Sequence, residues 1–401
     1  MTYLNAKKYL MGAPEKADES QLAELLLLIG NPQKRIKFLR LAGSNGKTVC
    51  GQMLSTVLAK TPHRVGFLRM PVSDEPRENI LINNEPISFS DFTMLVDTVK
   101  QTLLESDLTP TRSEIFLAVA LLAFKESNCA LAIIESNHYG SDPSINLPSP
   151  FAAIICGTLP DNDDAEISRI RTFVSREIEE IISAPQNPQA YKAISDICYS
   201  ANCRLTLPSR NALTVTRSTF MGTDFSYKDE EYRLNVCGIF QVSNALLAIE
   251  GLEMLSRKGF SVETSAIKDG LLRLRLEAKF EVLSVSPLII VDSAHSHSAI
   301  PTMCDALTDL GDKAPKQISL CLPSRTLIEE YSDALSARGF EVIGAYTSDP
   351  DCDGACVFKT PKSFVKQTLS SLDKFSTLLI SGDNSFVLPI RHELLNALGI
   401  L

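Results

Sequence analysis

Residues 36–50 read IKFLRLAGSNGKTVC: an apolar run breaks into Gly43-Ser44-Asn45-Gly46-Lys47-Thr48 and passes directly into a second apolar, helix-compatible segment. The order predicts a buried strand, a phosphate-cradling loop and a helix. Glycines let the backbone aim its N–H groups at phosphate oxygens, and the helix N-terminus adds a favourable dipole. Lys47 can neutralise phosphate charge, and the Thr48 hydroxyl can hold Mg²⁺. These are the parts of an ATP site. The match is to the short pattern GxxGKT, because the glycine expected five residues before Gly46 in the general phosphate loop is Leu41. A bare GxxGKT also serves as an ordinary helix-capping loop, but a strand before and a helix after favour phosphate binding.

Outward from this loop, 401 residues with 44% hydrophobic and 22% charged side chains exceed what one core usually serves, so two domains are expected. The formal charge of −9 opposes a nucleic-acid surface, which needs an excess of Lys and Arg. The first twenty residues lack an apolar core of the kind that directs secretion. No later run reaches the length of a membrane span, so a cytoplasmic protein is expected. Of the ten cysteines, most lie inside apolar runs and read as buried thiols. Cys352 and Cys356, in DCDGAC, are the nearest pair. Without a second pair or a nearby histidine they read as an exposed loop rather than a zinc site.

The segments RVGFLR (64–69), ALAIIES (130–136) and FAAIICGT (151–158) fit buried parallel strands, with a helix from Ser113 to about Lys125 between the first two. Asn187 to Tyr227 carries short alternating pieces such as RLTL and ALTVTRS and reads as a peripheral antiparallel region; Gln241 to Arg257 reads as an amphipathic helix. From Leu288 the alternation restarts as LIIVDSA, QISLCLP, EVIGAYT and STLLISG. The fold class is therefore α/β: an ATP-binding domain over 1–278, with the antiparallel region at about 187–227, then a smaller Rossmann-like domain over 279–401.

Several further motifs follow in one order. Arg77 to Ser88 reads RENILINNEPIS, Phe240 to Ala248 reads FQVSNALLA, Lys279 to Leu283 reads KFEVL, and Asp292 to His297 reads DSAHSH. With the loop GSNGKT they resemble, over nearly the full length, the folylpolyglutamate synthase/dihydrofolate synthase branch of the Mur ligase superfamily. Its patterns are GTNGKGS or GTNGKTT, RERIRINGEPIS, HQxxNAxLA, RFEVL and DGAHNP.

That resemblance implies an N-terminal Mur-ligase central domain of phosphate-loop type and an ATP-dependent ligase. Such a ligase transfers the γ-phosphoryl group of ATP to a carboxylic acid, and an amino acid, glutamate in the family, attacks the acyl phosphate to form an amide. Phosphoryl transfer rests on positioning and charge neutralisation. Lys47, Thr48 and the loop amides fit that role, and the family's metal-binding glutamate falls on Glu135, at the end of ALAIIES. The alternative for Glu135 is a solvated strand-end acid; its place on the ligand-bearing edge of an α/β sheet favours function. The resemblance further assigns nucleotide contacts to Gln241, Asn244, Lys279, Asp292 and His295, with domain closure completing the site, and implies a monomer. Lys279 keeps the charge of the family's arginine but not its bidentate fork.

The departures concern substrate and second metal. The family's EVGLGGRLDATN falls on Glu135 to Asn146, ESNHYGSDPSIN, with Ser141 at the arginine and Pro143 at the aspartate. A family SPH is Met70-Pro71-Val72, and the metal-binding histidine of GLDH falls on Asn162. Matched without gaps, the carbamylated lysine of REKAGI falls on Ile178, and an aliphatic side chain cannot bind Mg²⁺. Asp161, Asp163, Asp164, Glu177 or Glu179 could rebuild such a site, although acids of this kind commonly start helices. Three readings follow: a folate-type ligase, the same chemistry on another carboxylate, and a nucleotide-binding pseudoenzyme serving as a partner. Intact Lys47 and Thr48 favour the ligases.

Overall fold

The computed structural model describes residues 1–15, 19–43, 45–70, 73–136, 149–159, 167–168, 170–171, 174, 177–293, 299–311, 314–352 and 357–400. They form two compact units, one of residues 1–211 and 244–271, the other of 212–243 and 272–401. The second unit is thus discontinuous in sequence, whereas the reading above divides the chain once, between 278 and 279.

The first unit is built on an eight-stranded sheet. Its strands are β1 (Lys37–Gly43), β2 (Val65–Leu68), β3 (Ile80–Ile82), β4 (Glu85–Pro86), β5 (Leu131–Glu135), β6 (Ala152–Cys156), β7 (Glu180–Ser183) and β8 (Arg204–Thr206). The order across the sheet is β4-β3-β2-β5-β1-β6-β7-β8. From β2 to β8 neighbours are parallel, while β3 and β4 add an antiparallel edge. β1 is central and buried from Phe38 to Gly43, which is why its sequence, apart from the buried Arg40, is an apolar run rather than an alternating one.

Register places the ligand-bearing ends side by side: Leu41 pairs with Glu135, and Gly43 with Cys156. The helix Arg112–Glu126, expected from Ser113 to about Lys125, opens with a capping box in which Thr111 and Glu114 satisfy each other's backbone N–H groups. It anchors a core with Phe92, Val96, Phe116 and Phe124. Each such apolar side chain contributes about 1.5–3 kcal/mol through burial.

Two expectations need correction here. Asn187 to Tyr227 is not one antiparallel region. Asn187 caps a helix, Pro188–Ala201, by accepting from Ala190 N at 2.7 Å, and Ala190, Ile194, Ile197 and Cys198 form its buried stripe. That 3.6-residue period outweighs the scattered polar residues. The RLTL segment then supplies β8, the parallel edge of the main sheet. The helix Phe240–Arg257 is also less amphipathic than its sequence suggests, since every residue from Ala245 to Leu252 is buried.

The second unit carries β9 (Leu213–Thr219), β10 (Gly222–Tyr227) and β11 (Glu230–Leu234) as an antiparallel meander. A six-stranded sheet follows, made of β12 (Glu281–Val285), β13 (Leu288–Asp292), β14 (Gln317–Cys321), β15 (Glu341–Tyr346), β16 (Val357–Phe358) and β17 (Thr377–Gly382), in the order β12-β13-β17-β14-β15-β16. Only β12 is antiparallel to its neighbour. The four expected strands from Leu288 onward are all present.

The nine described cysteines are buried and free, Cys352 among them at 6% exposure, so its position is not the exposed loop read from DCDGAC; Cys356 lies outside the described residues. Among the described residues no helix is long and apolar enough to cross a membrane.

Candidate active site

The loop after β1 is shaped by two glycines. Gly43 sits at φ +119°, where a Cβ would lie 1.8 Å from the Cys156 carbonyl oxygen. Gly46 sits at φ +87°, where a Cβ would lie 2.3 Å from Asn244 Oδ1. Both positions therefore demand glycine, by backbone conformation and by space. They also show that Asn244, from the helix Phe240–Arg257, packs against the loop. Asn45 is exposed on the loop. Ser44, the remaining loop residue named from the sequence, lies outside the described residues, as does His295.

The helix Lys47–Leu58 starts directly after Gly46, which leaves its first N–H groups at the loop. Lys47 Nζ reaches back to donate to the Gly43 carbonyl at 2.5 Å, so the ammonium lies over the loop. Thr48 Oγ1 donates to Glu135 Oε2 at 3.3 Å, and Met70 N donates to the same oxygen at 3.2 Å. Glu135 is 1% exposed and its Oε1 has no hydrogen-bond partner among the described residues.

Burial pushes the Glu135 carboxyl up to about 7; the Met70 N–H, Lys47, Thr48 and Arg69 pull the other way without overcoming it. A buried carboxylate with one oxygen open, beside a hydroxyl and an ammonium, fits a hard divalent cation next to phosphate oxygens. The sequence marked Glu135 by motif and strand end. It marked Met70 only as a departure from a family SPH and gave no sign of its N–H bond, because a main-chain N–H can come from any residue.

In the second unit, Gln241, Lys279 and Asp292 also lie together. Gln241 Nε2 donates to the Lys279 carbonyl at 3.4 Å, Lys279 Nζ donates to Ser293 Oγ at 2.7 Å, and Asp292 Oδ1 accepts from Phe280 N at 3.0 Å. The turn carrying Lys279 is tight: Ala278 and Phe280 have φ of 47° and 59°. Asp292 ends β13 and is 6% exposed.

The gapless match of Ile178 to a metal-binding lysine does not survive the structure. Ile178 stands two residues before β7 begins, at the N-terminal edge of the parallel strands, while Glu135 ends β5 at the C-terminal edge. It is 1% exposed in an apolar cluster with Leu159, Ile170, Ile181 and Ile194. The position is a core position, separated from the loop by the length of the strands. Glu179 pairs with Lys258 instead of facing a cation. Asp161, Asn162, Asp163 and Asp164 lie outside the described residues, and among the described residues no three His, Cys, Asp or Glu side chains gather as a metal cluster.

Fold and site define a class: a two-unit α/β protein with a glycine-shaped strand-to-helix loop at the ligand-bearing edge of its first sheet. No protein-family model matches the chain. Curated relatives do. The dihydrofolate synthase/folylpolyglutamate synthase of Bacillus subtilis is 24% identical over 339 residues, 76% of each chain. The folylpolyglutamate synthase of Lacticaseibacillus casei is 22% identical over 331 residues, 77% of each chain.

Among solved structures, a folylpolyglutamate synthase complex with AMPPCP and folate superposes with a TM-score of 0.83 at 20% identity, covering 98% of this chain and all of that one. Folylpolyglutamate synthase from Thermotoga maritima gives 0.82 at 20% identity, covering 98% and 97%. The chain is thus similar in sequence to folylpolyglutamate and dihydrofolate synthases and shares the fold of the solved folylpolyglutamate synthases.

Proposed function

We propose that this protein is an ATP-dependent, ADP-forming ligase that joins a folate-type carboxylic acid to an amino acid, glutamate by analogy with its relatives, through an acyl phosphate. The single observation that carries the reading is the triad of Lys47, Thr48 and Glu135 at a loop whose two glycines cannot be replaced. In this reading the loop amides and Lys47 bind the phosphates of ATP and offset the charge that spreads over the transferred group. Thr48 and Glu135 would hold Mg²⁺, which supplies further neutralisation of phosphate oxygens. Met70 N–H keeps Glu135 turned toward Thr48.

The test is ADP release by the purified protein with Mg²⁺, ATP, folate and glutamate. Release that requires both acid and glutamate is the expected result. Ser141, Pro143 and Met70-Pro71-Val72, in place of residues the family conserves in its motifs, favour a second reading in which the acid is not a folate; turnover with another carboxylate alone would establish it. ATP bound but never consumed with any acid would leave a pseudoenzyme.

A further inference from the structure

Among the described residues of the connection from β2 to β3, the Met70 N–H bonds Glu135. One side chain bonds the backbone on both sides of that group. Asn79 is 7% exposed and its carboxamide is used at both ends: Nδ2 donates to the Arg69 carbonyl at 3.1 Å, while Oδ1 accepts from Ser73 N at 3.3 Å and from the Ser73 hydroxyl. Its own carbonyl accepts from Arg69 N at 2.8 Å. Arg69 donates in turn to the Glu78 carbonyl. Asn79 therefore grips the residue immediately before Met70 through main chain and side chain, and the residue three beyond Met70 through its amide oxygen.

Only a primary amide offers a donor and an acceptor from one planar group of this length. The position is also particular to this chain. In the motif that aligns as RENILINNEPIS the family pattern RERIRINGEPIS has arginine where Asn79 stands. A guanidinium donates but cannot accept, so it could not reproduce the bonds from Ser73.

We propose that Asn79 is a positioning residue of the cation site: it clamps Arg69 and Ser73 so that the Met70 N–H stays on Glu135 Oε2 and leaves Oε1 free for the metal. The inference rests on the ligase reading of that site. Groups that orient a metal's carboxylate ligand typically change metal affinity by about 10–100-fold when removed.

Asn79→Asp is isosteric and separates the roles. It retains the acceptor for Ser73 but sets a carboxylate oxygen against the Arg69 carbonyl, opening one jaw of the clamp. The measurement is Mn²⁺ binding by calorimetry and electron paramagnetic resonance, with AMPPCP present, alongside AMPPCP binding without metal. The expected result is Mn²⁺ affinity weaker by about tenfold, with metal-free AMPPCP affinity unchanged.

Ser73→Ala, which removes the hydroxyl that reaches Asn79 Oδ1 and the Glu75 carbonyl and leaves Asn79 in place, should shift Mn²⁺ affinity in the same direction by a smaller factor. It keeps the test open should Asn79→Asp fail to fold. Unchanged Mn²⁺ affinity in a folded Asn79→Asp protein, or an equal loss of metal-free AMPPCP affinity, overturns the proposal. Absence of Mn²⁺ and AMPPCP binding in the unaltered protein would instead count against the ligase reading.

Discussion

Two buried glutamates of the same parallel sheet have opposite surroundings. Glu180 begins β7 at 4% exposure, and its Oε1 accepts from Thr206 Oγ1 at 2.9 Å and pairs with Arg257 at 3.0 Å and Arg204 at 3.8 Å. Among the described residues, Glu135 ends β5 at 1% exposure with no arginine paired to it, two weak donors on Oε2 and an open Oε1. Burial alone therefore does not mark a site. A carboxylate whose bonding capacity is filled by protein is structural, and one left open at the ligand-bearing edge has capacity for something the chain does not supply. Glu114 falls with Glu180: it accepts from Ser20, Gln21, Leu22 and Thr111 and ties the N-terminal helices together.

The sharpest way to break this contrast begins beside Glu135. Lys47→Ala removes the ammonium over the loop, and turnover should fall by about 10²–10³-fold, the usual cost of one charge-stabilising group. The melting temperature should stay close to that of the unaltered protein, because Lys47 is only partly buried and contributes no core packing. ADP release and calorimetric melting measured on one preparation check both halves; unchanged turnover would remove this loop from the chemistry.

Glu180→Ala should do the reverse. It strips Thr206, Arg257 and Arg204 of their common acceptor and should destabilise the fold by about 2 kcal/mol, reduced from the fully buried case because both arginines are substantially exposed. Urea denaturation gives the stability change, and nucleotide affinity should not move. A loss of nucleotide binding greater than the loss of stability would erase the distinction between the two ends of the sheet.

A third effect is a pH dependence. Because burial raises the Glu135 carboxyl to about 7, the folded state favours its protonated form. The stability this contributes is full below the unfolded-state value near 4.5 and is lost as pH rises through about 7, on the order of 3 kcal/mol in total. Without divalent metal, the unaltered protein should therefore lose more stability between pH 5 and about pH 8 than Glu135→Gln, which cannot ionise. Denaturation midpoints at the two pH values measure it, and equal slopes in both proteins would mean that Glu135 is solvated. Metal binding should run the opposite way, tightening as Glu135 ionises.

Much of this was legible in the chain itself. The run from Ile36 to Cys50 announces a strand, a turn that needs glycine and a helix, because local hydrophobic period and backbone sterics act over a few residues. The strand that ends at Glu135 and the four strands of the second unit follow from the same local rules. The helix Pro188–Ala201 was also written in the spacing of Ala190, Ile194 and Ile197, although the polar residues between them obscured it.

Only the tertiary structure decided which acids are satisfied and which edge of the sheet each residue occupies. Ile178 aligned with a metal-binding lysine in one dimension but stands in the core at the opposite edge from Glu135. Met70 and Asn79 matter through a main-chain amide and a carboxamide, whose partners lie between 6 and 65 residues away and leave no local pattern. Periodicity records the neighbours a residue has along the chain, whereas desolvation and hydrogen-bond satisfaction depend on neighbours that only folding brings together.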